Sequence, residues 1–158
     1  MRKATLVVLG ALAVAGCGGD DGGDGGGGVT KEEFATNAEE VCADLEKQSD
    51  ELAQNEPESV EEIVDFTQEA RRTAEDAVER VRELEVPEGE EGDTAREWQD
   101  AVATEAEEQL IPALDDLEKA AEANDEQAIL SAAQRIQGIE ATESDRLARE
   151  LGAEGCAG

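Results

Sequence analysis

Cysteine is the most reactive residue type in this chain, and it occurs at Cys17, Cys42 and Cys156. A thiol attacks as its thiolate, which needs a nearby cation or base to lower its pKa. Cys42 stands among Glu39, Glu40 and Asp44, whose charge opposes ionisation. The chain has no histidine. That removes Ser-His-Asp and Cys-His catalysis, histidine-containing zinc sites and the Glu-x-x-His pair of di-iron bundles. The glycines between Gly18 and Gly28 follow no predicted strand, so they read as a tether and not as a phosphate cradle. There is no tyrosine and one tryptophan, which leaves poor stacking platforms for sugars or bases. No catalytic set remains, so the expectation is a non-enzymatic protein without a cofactor.

Two acidic groupings are the candidate cation ligands. Glu88, Glu90, Glu91 and Asp93 fall on one predicted loop, and Glu105, Glu107 and Glu108 fall beside Gln109 on a predicted helix. Neither has the spacing of a hand-type calcium loop. With 42 acidic residues in the chain, such clusters arise by chance, and no metal site is expected. Trp98 reads either as core or as the lining of a cleft near the loop before it. Pro112 interrupts a helical pattern and could open a groove beside Ile111 and Leu114.

The N-terminus carries the most specific pattern. Arg2 and Lys3 precede Ala4–Ala15, twelve uncharged residues rich in Leu, Val and Ala. As a helix this stretch would be about 18 Å long against about 30 Å of membrane hydrocarbon, too short to span. Val14-Ala15-Gly16-Cys17 follows. This leader resembles that of bacterial lipoproteins, whose lipobox is a branched apolar residue, two small residues and a cysteine. The resemblance implies a diacylglyceryl group on the Cys17 thiol, cleavage after Gly16, and anchoring on the extracytoplasmic face of the cell membrane. Two or more acyl chains on one residue suffice for stable anchoring, where one is marginal. Residues 1–16 then form a signal peptide. Residues 17–29 form a lipidated cysteine and a flexible tether, and 30–158 a folded domain. The tether has eight glycines and three aspartates between Gly18 and Gly28, and its r.m.s. reach is about 18 Å.

The elements are read from hydrophobic periodicity. Thr30 and Glu33 make a capping box ahead of Phe34, Ala38, Val41, Leu45 and Leu52, one apolar stripe on a helix running to about Ala53. Asn55-Glu56-Pro57 breaks the chain, with a cap expected at Asn55 or Glu56 and Pro57 in the first turn of a second helix. Its stripe runs from Val60 to Leu84. After a loop at 86–92, Asp93 is expected to cap a third helix with the stripe Ala95, Trp98, Val102, Ala106, Gln109, Ala113, Leu117 and Ala120. Pro112 should kink or divide it. Asn124-Asp125 starts a fourth helix bearing Ile129, Ala133, Ile136, Ile139, Glu143, Leu147 and Leu151, closed by Gly152. Period-2 alternation is absent. The expected fold is all-α, a four-helix antiparallel up-down-up-down bundle with an Ala-rich core.

Export places this domain in an oxidising compartment. With Cys17 lipidated, Cys42 and Cys156 remain, and the simplest reading is one disulfide joining the tail to the first helix; two free thiols are the alternative. The chain carries 13 basic and 42 acidic residues, and loss of Arg2 and Lys3 moves its net charge from −29 to −31. Such a surface repels nucleic acid and anionic headgroups, so no nucleic-acid partner is expected.

Over the folded domain the chain resembles a group of small uncharacterised helical lipoproteins of actinobacteria. Ala38-x-x-Val41-Cys42, Leu84-x-Val86-Pro87, Trp98, Ala113-Leu114-x-x-Leu117 and Leu151-Gly152-x-x-x-Cys156 carry the likeness. It also implies a Cys42–Cys156 pair, and it brings no activity. The functional expectation is a membrane-anchored, non-enzymatic binding or structural module with a possible envelope protein partner. A small-ligand-binding or sensory accessory is the alternative, and an acidic cation buffer at the surface a weaker one.

Overall fold

A computed structural model describes residues 28–55 and 57–157. The signal peptide, Cys17 and nearly all of the expected tether lie outside the described residues, as does Glu56. The described chain is all-helical. It comprises α1 (Lys31–Gln54), α2 (Val60–Glu83), α3 (Glu90–Glu105), a π-helical turn (Ala106–Leu110), α4 (Ile111–Glu122), α5 (Glu126–Gln137), α6 (Thr142–Leu151) and a short 3₁₀ turn (Glu154–Cys156). No strand occurs among the described residues.

Helix starts follow local side-chain chemistry. At α1 the Thr30 hydroxyl accepts from the Glu33 amide at 3.2 Å, while the Glu33 carboxylate accepts from the Thr30 amide at 2.9 Å. Two amides without helical partners are satisfied at once, as the capping box requires. Helix α2 begins later than its proline signal suggests. Its cap is Ser59, which accepts from the Glu62 amide, while Glu62 reaches back to the Glu58 and Ser59 amides. A reciprocal Ser–Glu box outcompetes Asn55, which instead ends α1 and donates to the Glu51 carbonyl. Asp93 is not a cap either. Helix α3 starts at Glu90 behind Gly89, so Glu90, Glu91 and Asp93 occupy its first turn, where negative charge meets the helix dipole.

That early start depends on two glycines. Gly89 has φ +72°, a region that glycine enters at little cost. Gly92 packs its α-carbon against the Pro87 carbonyl; a β-carbon there would lie 1.9 Å from that oxygen.

The expected third helix is divided next to Pro112, into α3 and α4. The chain passes through the π turn, in which the Ile111 amide donates to the Ala106 carbonyl, and Pro112 sits in the first turn of α4. The wider turn receives a residue that cannot donate a hydrogen bond. The expected fourth helix is two helices. Helix α5 stops at Gly138, whose amide donates to the Gln134 and Arg135 carbonyls, and α6 restarts at Thr142. Gln109 and Glu143, placed on apolar stripes by periodicity, are exposed, and Ala132 is the buried residue of α5.

The core has one dense end. Phe34, Ala38 and Val41 of α1 pack with Val81, Ala95, Trp98, Leu147, Ala148, Leu151 and Ala153. Trp98 is 1% exposed and meets Phe34 edge to face, with centroids 5.8 Å apart and planes at 90°. Trp98 is therefore core. The disulfide joins Cys42 to Cys156 beside this cluster, with α-carbons 5.3 Å apart. It fastens the 3₁₀ turn to α1, and the Gly155 amide donates to Glu39 from the same turn. The other end is held by α4, which packs on both α2 and α5.

Candidate functional site

The acidic groupings do not assemble a cation site. Glu107 pairs with Arg82 of α2 through two hydrogen bonds, at 2.7 and 3.0 Å. Its neighbour Glu105 accepts instead from the Ser144 amide and hydroxyl of α6. Glu105 ends α3 and Glu107 lies in the π turn, and they fasten to different helices. Around α3, Asp93 pairs with Arg96 along its own helix. No cluster of three or more Cys, Asp or Glu side chains among the described residues is arranged to hold a metal ion.

The titration shifts describe fastening. Hydrogen bonds from Thr30 lower the Glu33 pKa. Hydrogen bonds from Arg82 and Arg146 likewise lower Glu107 and Glu143. The same carboxylates raise the partner arginines. Each pair is at the surface. Arg71 of α2 similarly joins Asp115 at 2.6 Å and Glu118 at 3.2 Å, both on α4.

The feature with binding character is an apolar cleft of about 360 Å³ among the helices. Leu45 and Leu52 come from α1, Phe66, Thr73, Ala74 and Val78 from α2, and Val102 from α3. Ala106 and Leu110 of the π turn, Leu114 of α4 and Ile136 of α5 complete it. Among the described residues, Ser49 and Thr73 supply its only side-chain hydroxyls, and no charged residue lines it.

Its origin can be traced in the sequence. At the dense end, α1 presents Phe34, Ala38 and Val41, all buried. Further along the same stripe, Leu45 and Leu52 are only half-buried. On the facing side α2 offers Ala70, Ala74 and Ala77, too short to fill the space. Long residues on one wall and alanines on the other leave a gap where a jigsaw core would close. The π turn adds Ala106 and Leu110 to the lining, and such turns recur at functional sites. Pro112 thus lies beside a groove, with Leu114 in its lining; Ile111 faces elsewhere, towards Glu107 and Arg82. The cleft combines residues from six elements, and periodicity alone marks only that each belongs to an apolar face.

A second space of about 360 Å³ adjoins the cleft and shares Leu52 and Phe66 with it. Asn55, Pro57, Glu58, Glu62, Asp65 and Glu69 form its remaining walls. Glu62 is occupied by the capping box of α2. No lysine or arginine lines either space.

Comparison of the chain with protein-family models, curated proteins and solved structures returned no match.

Proposed function

We propose that this chain is a bacterial envelope lipoprotein whose helical domain is a non-catalytic binding module for a small apolar ligand. The observation that carries the binding half is the uncharged interhelical cleft, whose volume falls within the usual range of small-molecule sites. Between an envelope scaffold and a ligand-binding accessory, the cleft favours the accessory. A scaffold role needs no cavity, and an unfilled apolar space of this size lowers stability.

The anchoring half rests on the leader: Val14-Ala15-Gly16-Cys17 after an uncharged stretch too short to span. In this reading Cys17 carries the lipid, and residues 18–29 hold the domain off the extracytoplasmic face. None of the described helices is long and apolar enough to cross a membrane.

An antiparallel up-down-up-down order, with α3–α4 and α5–α6 each acting as one long arm, belongs to the same proposal. Pairs that run in opposite directions along neighbouring arms support it: Arg71 meets Asp115 while Arg82 meets Glu107, and Glu105 meets Ser144 while Asp116 meets Arg135.

The test is a melting screen of the mature protein against uncharged apolar compounds, run beside Ala70→Leu, which fills the cleft. A concentration-dependent rise in Tm for the native chain, abolished in Ala70→Leu, is the expected result. Tm values indifferent to every such compound, with capture of one envelope protein from membranes, would return the domain to a scaffold role. For the anchor, Cys17→Ser should leave the chain unlipidated and impair processing after Gly16. A mutant with unchanged mass and unchanged membrane extraction would overturn that assignment.

A further inference from the structure

We infer that the ligand of the cleft is a single-chain amphiphile with a cationic head, its chain among the helices and its head in the adjoining acidic space. This rests on the proposal above that the cleft binds an apolar ligand.

The two spaces adjoin and differ in chemistry. Leu52 and Phe66 line both, which places the acidic walls of one next to the apolar lining of the other. There Glu58, Asp65 and Glu69 line the wall, and no ion pair among the described residues neutralises them. The sign is therefore negative where the apolar lining meets this space at Leu52 and Phe66. An anionic head would meet only repulsion, since no lysine or arginine lines either space. An uncharged hydroxyl head gains at most a hydrogen bond to one carboxylate. A cationic head gains from all three carboxylates, in a chain whose net charge of −29 already concentrates cations around it.

The cleft also bounds the chain. Leu45 and Leu52 are seven residues apart on one helix, so they span about 10 Å along its axis. That length suits an alkyl chain of about eight carbons, with the Ser49 and Thr73 hydroxyls along its side.

The experiment measures affinities of the mature protein by calorimetry at fixed ionic strength for octyltrimethylammonium, octanol, octanoate and tetramethylammonium. The expected order is the octyl cation, then octanol about tenfold weaker, then octanoate, with no saturable binding of tetramethylammonium; tenfold is the scale of one or two exposed ion pairs. The triple variant Glu58→Gln, Asp65→Asn, Glu69→Gln should bring the octyl cation down to the affinity of octanol and leave octanol unchanged. It keeps nearly all of the chain's negative charge, so a general attraction for cations would survive it. Equal affinities for the octyl cation and octanol in the native protein, or a triple variant that keeps the preference, would overturn the cationic head and leave the apolar site standing. Absence of binding by all three octyl compounds would overturn the site itself, and saturable binding of tetramethylammonium as tight as that of its octyl analogue would reduce the effect to surface charge.

Discussion

Individual residues in this protein act mostly by how close they let the backbone come. Gly92 is the sharpest case. A β-carbon at that position would sit 1.9 Å from the Pro87 carbonyl oxygen, a backbone atom that cannot swing aside. Gly92→Ala should therefore cost more than a helix-propensity argument would suggest. We expect a loss of about 2–4 kcal/mol, read as a large drop in the urea midpoint, although alanine is normally the better helix former. A neutral or stabilised Gly92→Ala would mean that the 87–92 segment relaxes freely. Cys42 and Cys156 act in the opposite way, by limiting the unfolded chain. Their bond closes a loop across a separation of 114 residues, and in the chain-entropy model that constraint contributes about 4–5 kcal/mol. Reduction should lower Tm by many degrees, with an intact-mass change confirming the bond. A Tm indifferent to reductant would show that α1 and the 3₁₀ turn hold together through packing alone.

At the scale of elements, caps and turns decide where helices begin. The expectation of a cap at Asn55 or Glu56 followed the proline at 57, but a reciprocal Ser59–Glu62 box satisfies more amides and sets the start of α2. Ser59→Ala should then destabilise by about 1 kcal/mol, the usual value of an N-cap. Asp93→Ala should have a smaller effect, since Asp93 stands inside the first turn and not at the cap. Chemical denaturation of the two variants side by side checks this, and the reverse order would restore the later start of α3. The arginine–carboxylate pairs between helices are surface contacts of small individual worth. Their pH signature has a fixed sign. Glu33, Glu107 and Glu143 have pKa values lowered below the ordinary 4.5 in the folded state. Their stabilisation is thus present above the unfolded value and lost as pH falls through the folded ones. In acid titrations of the unfolding midpoint, the advantage of the native chain over Glu107→Gln should shrink as pH falls below 4.5.

Over the whole molecule, charge is the governing quantity. With 13 basic and 42 acidic residues, the folded chain holds like charges closer together than the unfolded one does. Screening shortens the reach of that repulsion to about 10 Å at 0.1 M salt and about 3 Å at 1 M. Stability should therefore rise with monovalent salt across that range, in potassium chloride as in sodium chloride. Thermal melts that fall with added salt would show that the interhelical ion pairs outweigh the general repulsion.

The amino-acid sequence by itself determined an all-helical chain, because its apolar residues recur at helical spacing and no alternating run competes. It determined the start of α1, since Thr30 and Glu33 act within one turn. It also restricted Cys42 to one intrachain partner other than Cys17. Only the tertiary structure decided the rest, and for one physical reason: these features depend on residues that meet across elements. Pro112 announced a disturbance, but the form it takes, a π turn between α3 and α4, is set where that turn packs on α2. Gly138 divides the last arm, where the apolar period carried on through it. Trp98 had two readings until Phe34 and Leu147 closed around it. Glu105 and Glu107 looked like one acidic cluster until Ser144 and Arg82 drew them to different helices. The cleft was the least legible feature. It is the volume left between Leu45 and Leu52 on α1 and a row of alanines on α2, and a volume between helices exists only once they are packed.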